Sequence, residues 1–212
     1  MILLVVLFTL SSCTTVTTEE YEKNTPVVSV NSTADTAINT EMTSSTERKE
    51  LQKNPEYLAN DESELSVLDF ETAFEMCERV LTEYYKAVWN GTDIELDTFI
   101  DNENLKQYTQ KKILFQNEVY GKFNDKVQNI EIDASEVEYT DDANGGFLYL
   151  KLPAEIKKTA GSYGEVTEFL VRNNNGKLVI VDWYTGAKDS YDFVVRGENL
   201  SLDNPDIWND SE

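Results

Sequence analysis

Histidine is absent from the 212 residues, and cysteine occurs only at positions 13 and 77. That inventory removes Ser-His-Asp hydrolysis and His-ligated zinc. Asp and Tyr remain as candidate acid–base groups. Asp182 follows the apolar run Leu178 to Val181 and precedes Trp183 and Tyr184. A carboxylate buried there would have a raised pKa and would act as a base. The competing reading is an Asp at a strand end that binds loop amides. Cys77 falls in an apolar helical stripe and reads as a buried small hydrophobe. A nucleophilic Cys usually draws on a His partner, which this chain lacks. Asp141-Asp142-Ala143-Asn144-Gly145 has the oxygen-rich start of a calcium loop. The Glu required at its twelfth position is replaced by Pro153, so the segment reads as a turn. No paired CxxC and no phosphate-cradling glycine loop occurs. No metal or cofactor is implied. The remaining lead is aromatic. Tyr84, Trp89, Tyr108, Tyr149 and Trp183 are candidate pocket-lining residues, with polar tips on apolar bodies. Ordinary core packing fits the same residues.

Cys13 has a different context. Met1 to Leu10 is apolar except for Thr9, and Ser11 and Ser12 follow. Ten residues are too few to span about 30 Å of hydrocarbon as a helix. They match a signal-peptide apolar region of roughly 7–15 residues before a small-residue cleavage site. Leu10-Ser11-Ser12-Cys13 resembles the lipobox of bacterial lipoproteins. The resemblance implies a signal peptide over residues 1–12 and a diacylglyceryl thioether at Cys13. It places the mature protein on the outer face of the cytoplasmic membrane. No Lys or Arg precedes the apolar run. The residues alone also fit an ordinary secretion signal or a buried strand or helix start.

The chain carries 18 basic and 40 acidic residues, a net charge of −22. Such a surface repels nucleic acid, whose binding needs Lys and Arg on phosphates. It also repels an anionic membrane surface, so attachment must come from lipid chains rather than a basic patch. With Cys13 assigned to lipid, Cys77 has no partner for an intramolecular disulfide. Residues 13–64 read as a disordered tether. Fifteen of residues 14–64 are Ser or Thr, and the hydrophobes there have no period. A flexible chain of that length reaches about 40 Å.

The elements that must position the candidate residues begin near Ser66, within an expected domain of residues 65–196. Phe70, Phe74, Cys77, Leu81, Tyr84 and Val88 mark one face of a long helix. Ser66 with Asp69 resembles a cap, and Asn90-Gly91 ends the helix. Thr92 and Glu95 form a capping-box pair that predicts a short second helix, with Ile94, Phe99 and Ile100 inward. Leu105, Tyr108, Lys112, Phe115 and Val119 mark a third helix. The Lys112 stem is expected along the core with its ammonium in water. From Ile130 the period is two, with a bulge expected near Ser135. Strands follow over Phe147–Ile156, Gly164–Arg172 and Lys177–Tyr184, the last expected to be central. Asn173-Asn174-Asn175-Gly176 is a hairpin signal. Tyr191, Phe193 and Val195 alternate like an edge strand. Residues 197–212 read as an acidic tail that packs back through Trp208. Asp203, Asp206 and Asp210 there read as solvated acids rather than a cation site.

Helices grouped before strands argue an α+β domain with a four-stranded antiparallel sheet. The element order, the bulged strand and Asp182-Trp183-Tyr184-Thr185-Gly186 resemble the nuclear-transport-factor-2-like fold. In that fold a curved sheet wraps a long helix into a cone; a cystatin-like sheet around one helix is the near neighbour. The resemblance implies a hollow where the aromatics meet, and dimers formed through the open sheet face. The expected function is a non-catalytic binding or interaction module at the cell envelope. Its expected partners are the membrane through the N-terminal lipid, an envelope protein or a small apolar ligand, and a second copy of the chain. Two alternatives stay open. One is an accessory domain of a larger wall enzyme, amidase-like, continuing past Glu212. The other is a ligand-binding or enzymatic cone that uses Asp182.

Overall fold

The computed structural model describes residues 56–198 and 200–209, so Cys13 and most of the expected tether lie outside the described residues. Helix α1 spans Phe70–Asn90. It is preceded by a 3-10 turn, Val67–Asp69, closed by the Ser66/Asp69 capping box that the sequence signals. Its stripe is wider than the expected one: Ala73, Met76, Val80, Tyr85 and Trp89 are buried with Cys77, Leu81, Tyr84 and Val88. Gly91 ends the helix at φ 69°, where only a residue without Cβ sits unstrained. Burial pushes the Cys77 thiol well up from its ordinary value, so it packs rather than reacts.

In place of a second helix capped by Thr92 and Glu95 there is a single 3-10 turn, Leu96–Thr98. The reason is tertiary. The Phe99 carbonyl accepts from the Ile180 amide at 2.8 Å, while Phe99 and Ile100 are fully buried. Helix α2 spans Glu103–Tyr120, capped by the Asn102 side chain. Its inner face runs through Leu105, Tyr108, Thr109, Lys112 and Gln116. Phe115 and Val119, expected inside, are exposed, because the true stripe drifts to Gln116 one turn on. Lys112 also departs from expectation. It is wholly buried, and its ammonium meets the equally buried Asp192.

Five strands follow: β1 Val127–Ile132, β2 Glu136–Thr140, β3 Phe147–Lys158, β4 Gly161–Asn174 and β5 Lys177–Thr185. All pairings are antiparallel. Strands β1 and β2 pair with successive halves of β3 and act as one interrupted strand. The interruption falls at residues 133–135, where the sequence places a bulge. Asp133 and Ser135 continue the ladder to the Pro153 and Lys151 carbonyls. This break is what admits Pro153 into a strand paired on both sides, because its missing N–H faces the gap. Asn175 (φ 53°) and Gly176 (φ 85°) form the left-handed two-residue turn between β4 and β5.

Three further expectations change. Strand β5 lies at the edge of the sheet, not in its centre. Its apolar run is covered sideways instead. Leu58 bridges to Lys177, and the Leu178 amide donates to the Tyr57 carbonyl. The ordered domain therefore reaches back before residue 65, with Tyr57 buried. Residues Tyr191–Arg196 form helix α3 rather than an edge strand, because Ser190 caps it through the Phe193 amide. The stretch after α3 packs as well. Leu202 joins Phe147, Leu170 and Tyr184 on the outer sheet face, and Trp208 lies against Tyr108. The main core is sandwiched between α1 and the inner sheet face, from Leu148, Leu150, Leu152 and Ile156 to Phe169 and Trp183.

Candidate functional site

A cleft of about 370 Å³ opens between the ends of four elements. The last turns of α1 contribute Tyr84, Tyr85, Val88 and Trp89, and α2 contributes Gln116 and Tyr120. The β3–β4 hairpin adds Lys158, Tyr163, Gly164 and Glu165, and the loop after β5 adds Ala187 and Asp189. Helical spacing brings Gln116 and Tyr120 to one face, and strand alternation does the same for Tyr163 and Glu165.

The wall is held by its own polar bonds. Tyr85 donates to Glu165 Oε2 at 2.8 Å, and the Trp89 indole donates to the Tyr163 hydroxyl at 2.9 Å. Tyr120 donates to Asp189 Oδ2 at 2.7 Å. Trp89 is stacked on one side by Tyr120, with centroids 4.7 Å apart. The Lys158 ammonium lies 3.7 Å from the Trp89 ring centroid and pairs with Asp125 at 3.1 Å. Gln116 lies beside the Tyr84 hydroxyl, and its buried Oε1 has no partner. An unpaired buried carbonyl costs free energy, so its position facing a cleft calls for an explanation.

Burial raises the Glu165 carboxyl above its ordinary value, against the opposing pull of the Tyr85 hydrogen bond and the Lys112 charge. Asp189 and Asp192 push it up further. Burial likewise raises Tyr85 and Tyr163, whose phenols stay protonated at neutral pH. The sign for stability follows. The folded state holds the Glu165 proton more tightly than the unfolded chain does. At acid pH, with both states protonated, the group carries no penalty; as pH rises through the unfolded carboxyl's range, it costs stability. Glu165→Gln is therefore expected to match the parent in urea midpoint near pH 3.5 and exceed it at pH 7. Equal differences at both pH values would refute this.

The structure divides the aromatic candidates. Tyr84 and Trp89 line the cleft. Trp183 lies beneath it in the core, edge-on to Tyr84 at 5.2 Å, with its indole donating to Thr109. Tyr108 faces Asp192, Tyr191 and Trp208 instead. Tyr149 sits on the opposite sheet face beside Phe147 and Leu202. Asp182 does not line the cleft. Arg196 holds both its oxygens, at 2.9 and 2.7 Å, and the Trp208 indole and Trp183 amide donate to Oδ1. The expected turn at residues 141–146 is present. Asp142 accepts from the Asn144 and Gly146 amides and pairs with Arg172.

Glu165, Gln116 and Lys158 went unnoticed in the sequence. The available signal was phase: Glu165 alternates with Tyr163, Thr167 and Phe169, the last two fully buried. Among the described residues no cluster of Cys, Asp and Glu is arranged to hold a metal, and no helix is long and apolar enough to cross a membrane. Comparison of the chain with protein-family models, with curated proteins and with solved structures finds no match in any of the three.

Proposed function

We propose that this chain is a lipid-anchored, extracytoplasmic binding module that takes a small molecule in the cleft between α1, α2 and the β3–β4 hairpin. The observation that carries the binding role is the unpartnered Gln116 Oε1, buried in an aromatic wall beside the Glu165 carboxyl. Sites of this kind combine apolar walls with a few convergent polar groups. A cone of the nuclear-transport-factor-2 type fits the long α1 laid against an antiparallel sheet whose outer strand is broken at residues 133–135. The anchor rests on Leu10-Ser11-Ser12-Cys13 and on a surface too acidic for electrostatic membrane binding. The role is one of binding, and Asp182, the candidate base of the sequence, lies outside the cleft in a clamp made with Arg196 and Trp208.

Two measurements test the two halves. In a bacterial host, the parent is expected in the membrane fraction and Cys13→Ser in the soluble extracytoplasmic fraction; identical distribution overturns the anchor. For binding, the full chain in nonionic detergent is titrated with a library of small cationic, neutral and anionic compounds. At least one class is expected to shift the backbone amide signals of Tyr84, Gln116 and Glu165 in NMR spectra. A library that leaves all three unmoved overturns the binding role.

A further inference from the structure

We infer that the cleft selects a small organic cation bearing N–H donors, an ammonium or guanidinium group, seated between the Glu165 carboxylate, Gln116 Oε1 and the tyrosine faces. This rests on the binding role proposed above and goes beyond it by fixing the chemistry of the ligand.

The first argument is hydrogen-bond polarity. The principal donors of the wall are engaged: Tyr85 with Glu165, Tyr120 with Asp189, the Trp89 indole with Tyr163, and the Lys158 ammonium with Asp125 and the Trp89 ring face. Glu165 Oε1 and Gln116 Oε1 remain, and both are acceptors. The hydroxyls of Tyr84 and Tyr163 serve in either sense. A ligand that donates satisfies the two acceptors, whereas one that only accepts leaves Gln116 unpaired.

The second argument is charge. Lys112 is matched by Asp192 and Lys158 by Asp125. Among the described residues no lysine or arginine forms an ion pair with Glu165 or Asp189, and the Lys112 charge felt by Glu165 is already matched by Asp192, so the surroundings of the cleft carry an excess of negative charge. The net charge of −22 extends that field outward and concentrates cations near the surface.

The third argument is already visible in the fold. Two ammonium groups lie over the aromatic rings of this region. Lys158 sits over Trp89 and, at 5.2 Å, over Tyr163; Lys112 sits 5.1 Å from the Tyr84 centroid. The rings present their negative faces to cations. A volume of about 370 Å³ admits a small amine rather than a polymer.

Three matched probes separate charge from shape: tyramine, its neutral alcohol tyrosol, and the anion 3-(4-hydroxyphenyl)propionate. Each is titrated into the full chain in nonionic detergent by calorimetry, with the Tyr84, Gln116 and Glu165 amides followed by NMR. Tyramine is expected to bind at least about tenfold more tightly than tyrosol, with the anion weakest. Glu165→Gln is expected to lose about tenfold or more for tyramine, the effect of removing a charged hydrogen-bond partner, and nothing for tyrosol. The variant's urea midpoint at pH 7, expected at or above the parent's, separates lost binding from lost folding. Glu155→Gln, an exposed change outside the cleft, is expected to leave tyramine binding intact. Equal or better binding of tyrosol or the anion at the cleft overturns the cation while leaving the binding role standing. Cleft shifts from neutral or anionic library compounds but from no cationic one do the same. Silence from every compound overturns both.

Discussion

Asp192→Ala is expected to lower the unfolding free energy by about 3–5 kcal/mol, the range for breaking a buried ion pair from one side. Both partners are wholly buried, and Lys112 Nζ lies 2.5 Å from Asp192 Oδ2. The carboxylate also accepts from the Tyr108 hydroxyl and the Thr185 amide, each at 2.7 Å. Its loss strands an ammonium, a phenol and a backbone N–H inside the core. The Trp183 ring, 3.9 Å from Nζ, softens that cost without replacing the charge. Replacing both partners with apolar residues, Lys112→Met with Asp192→Leu, is expected to recover most of the loss, since the desolvation of both ions disappears together. Urea unfolding of parent, single and double variants checks both statements. A single variant within about 1 kcal/mol of the parent would show that water reaches the pair.

Asp182→Ala is expected to cost about 3 kcal/mol or more, for a different reason. This carboxylate joins three segments that are separate in sequence: the end of β5, the C-terminus of α3 through Arg196, and the residue 200–209 stretch through the Trp208 indole. The Arg196 guanidinium is enclosed by Trp208, Tyr184 and Tyr108, with centroids 5.3–5.9 Å away. Without Asp182 a nearly buried guanidinium has no counter-charge. Beyond the lower urea midpoint, limited proteolysis is expected to cut the variant after Arg196 at protease doses that spare the parent. An unchanged cleavage pattern would mean that the other contacts of the stretch, Leu202 on the outer sheet face, Asp206 with Arg172 and the Trp208 carbonyl with the Asn102 and Asn104 side chains, hold it in place.

Features with a local cause were readable from sequence. The 4-3-4-3-4 spacing marks α1, Ser66 with Asp69 the cap of the 3-10 turn that leads into it, Gly91 its end, and Asn175-Gly176 the hairpin. The bulge near Ser135 followed from a phase change between Ile132 and Val137. Features set by distant partners were not readable. Tyr191, Phe193 and Val195 alternate as a strand would, yet Ser190 and the buried Asp192 turn them into a helix. The apolar run of β5 reads as a central strand because nothing local reveals that Tyr57 and Phe99 will cover an edge. Lys112 looked like a surface-seeking side chain because its counter-ion lies 80 residues away. The candidate site fared similarly. Tyr84 and Trp89 stood out as large aromatics at a helix end. Glu165 and Gln116 are ordinary polar residues, marked only by falling in the inward phase of β4 and α2.

Glu165 also shows how the cleft and stability pull against each other. A half-buried carboxylate that costs stability at neutral pH is what the proposed cation site needs before its ligand arrives.

The way the chain enters the domain has a mechanical consequence. Residues 57–59 lie along the edge of β5 through the Leu178 amide to the Tyr57 carbonyl and the Ala59 amide to the Gly176 carbonyl. Tension applied to the chain ahead of Glu56 therefore loads this short zipper before any other part of the domain. Its rupture would peel Tyr57 from Phe99, 6.1 Å away, and bare the start of the β5 edge, while the Phe99 carbonyl stayed on the Ile180 amide. A pull on the chain ahead of Glu56 would thus be felt first as an opened strand edge, a mechanical fuse at the entrance to the core.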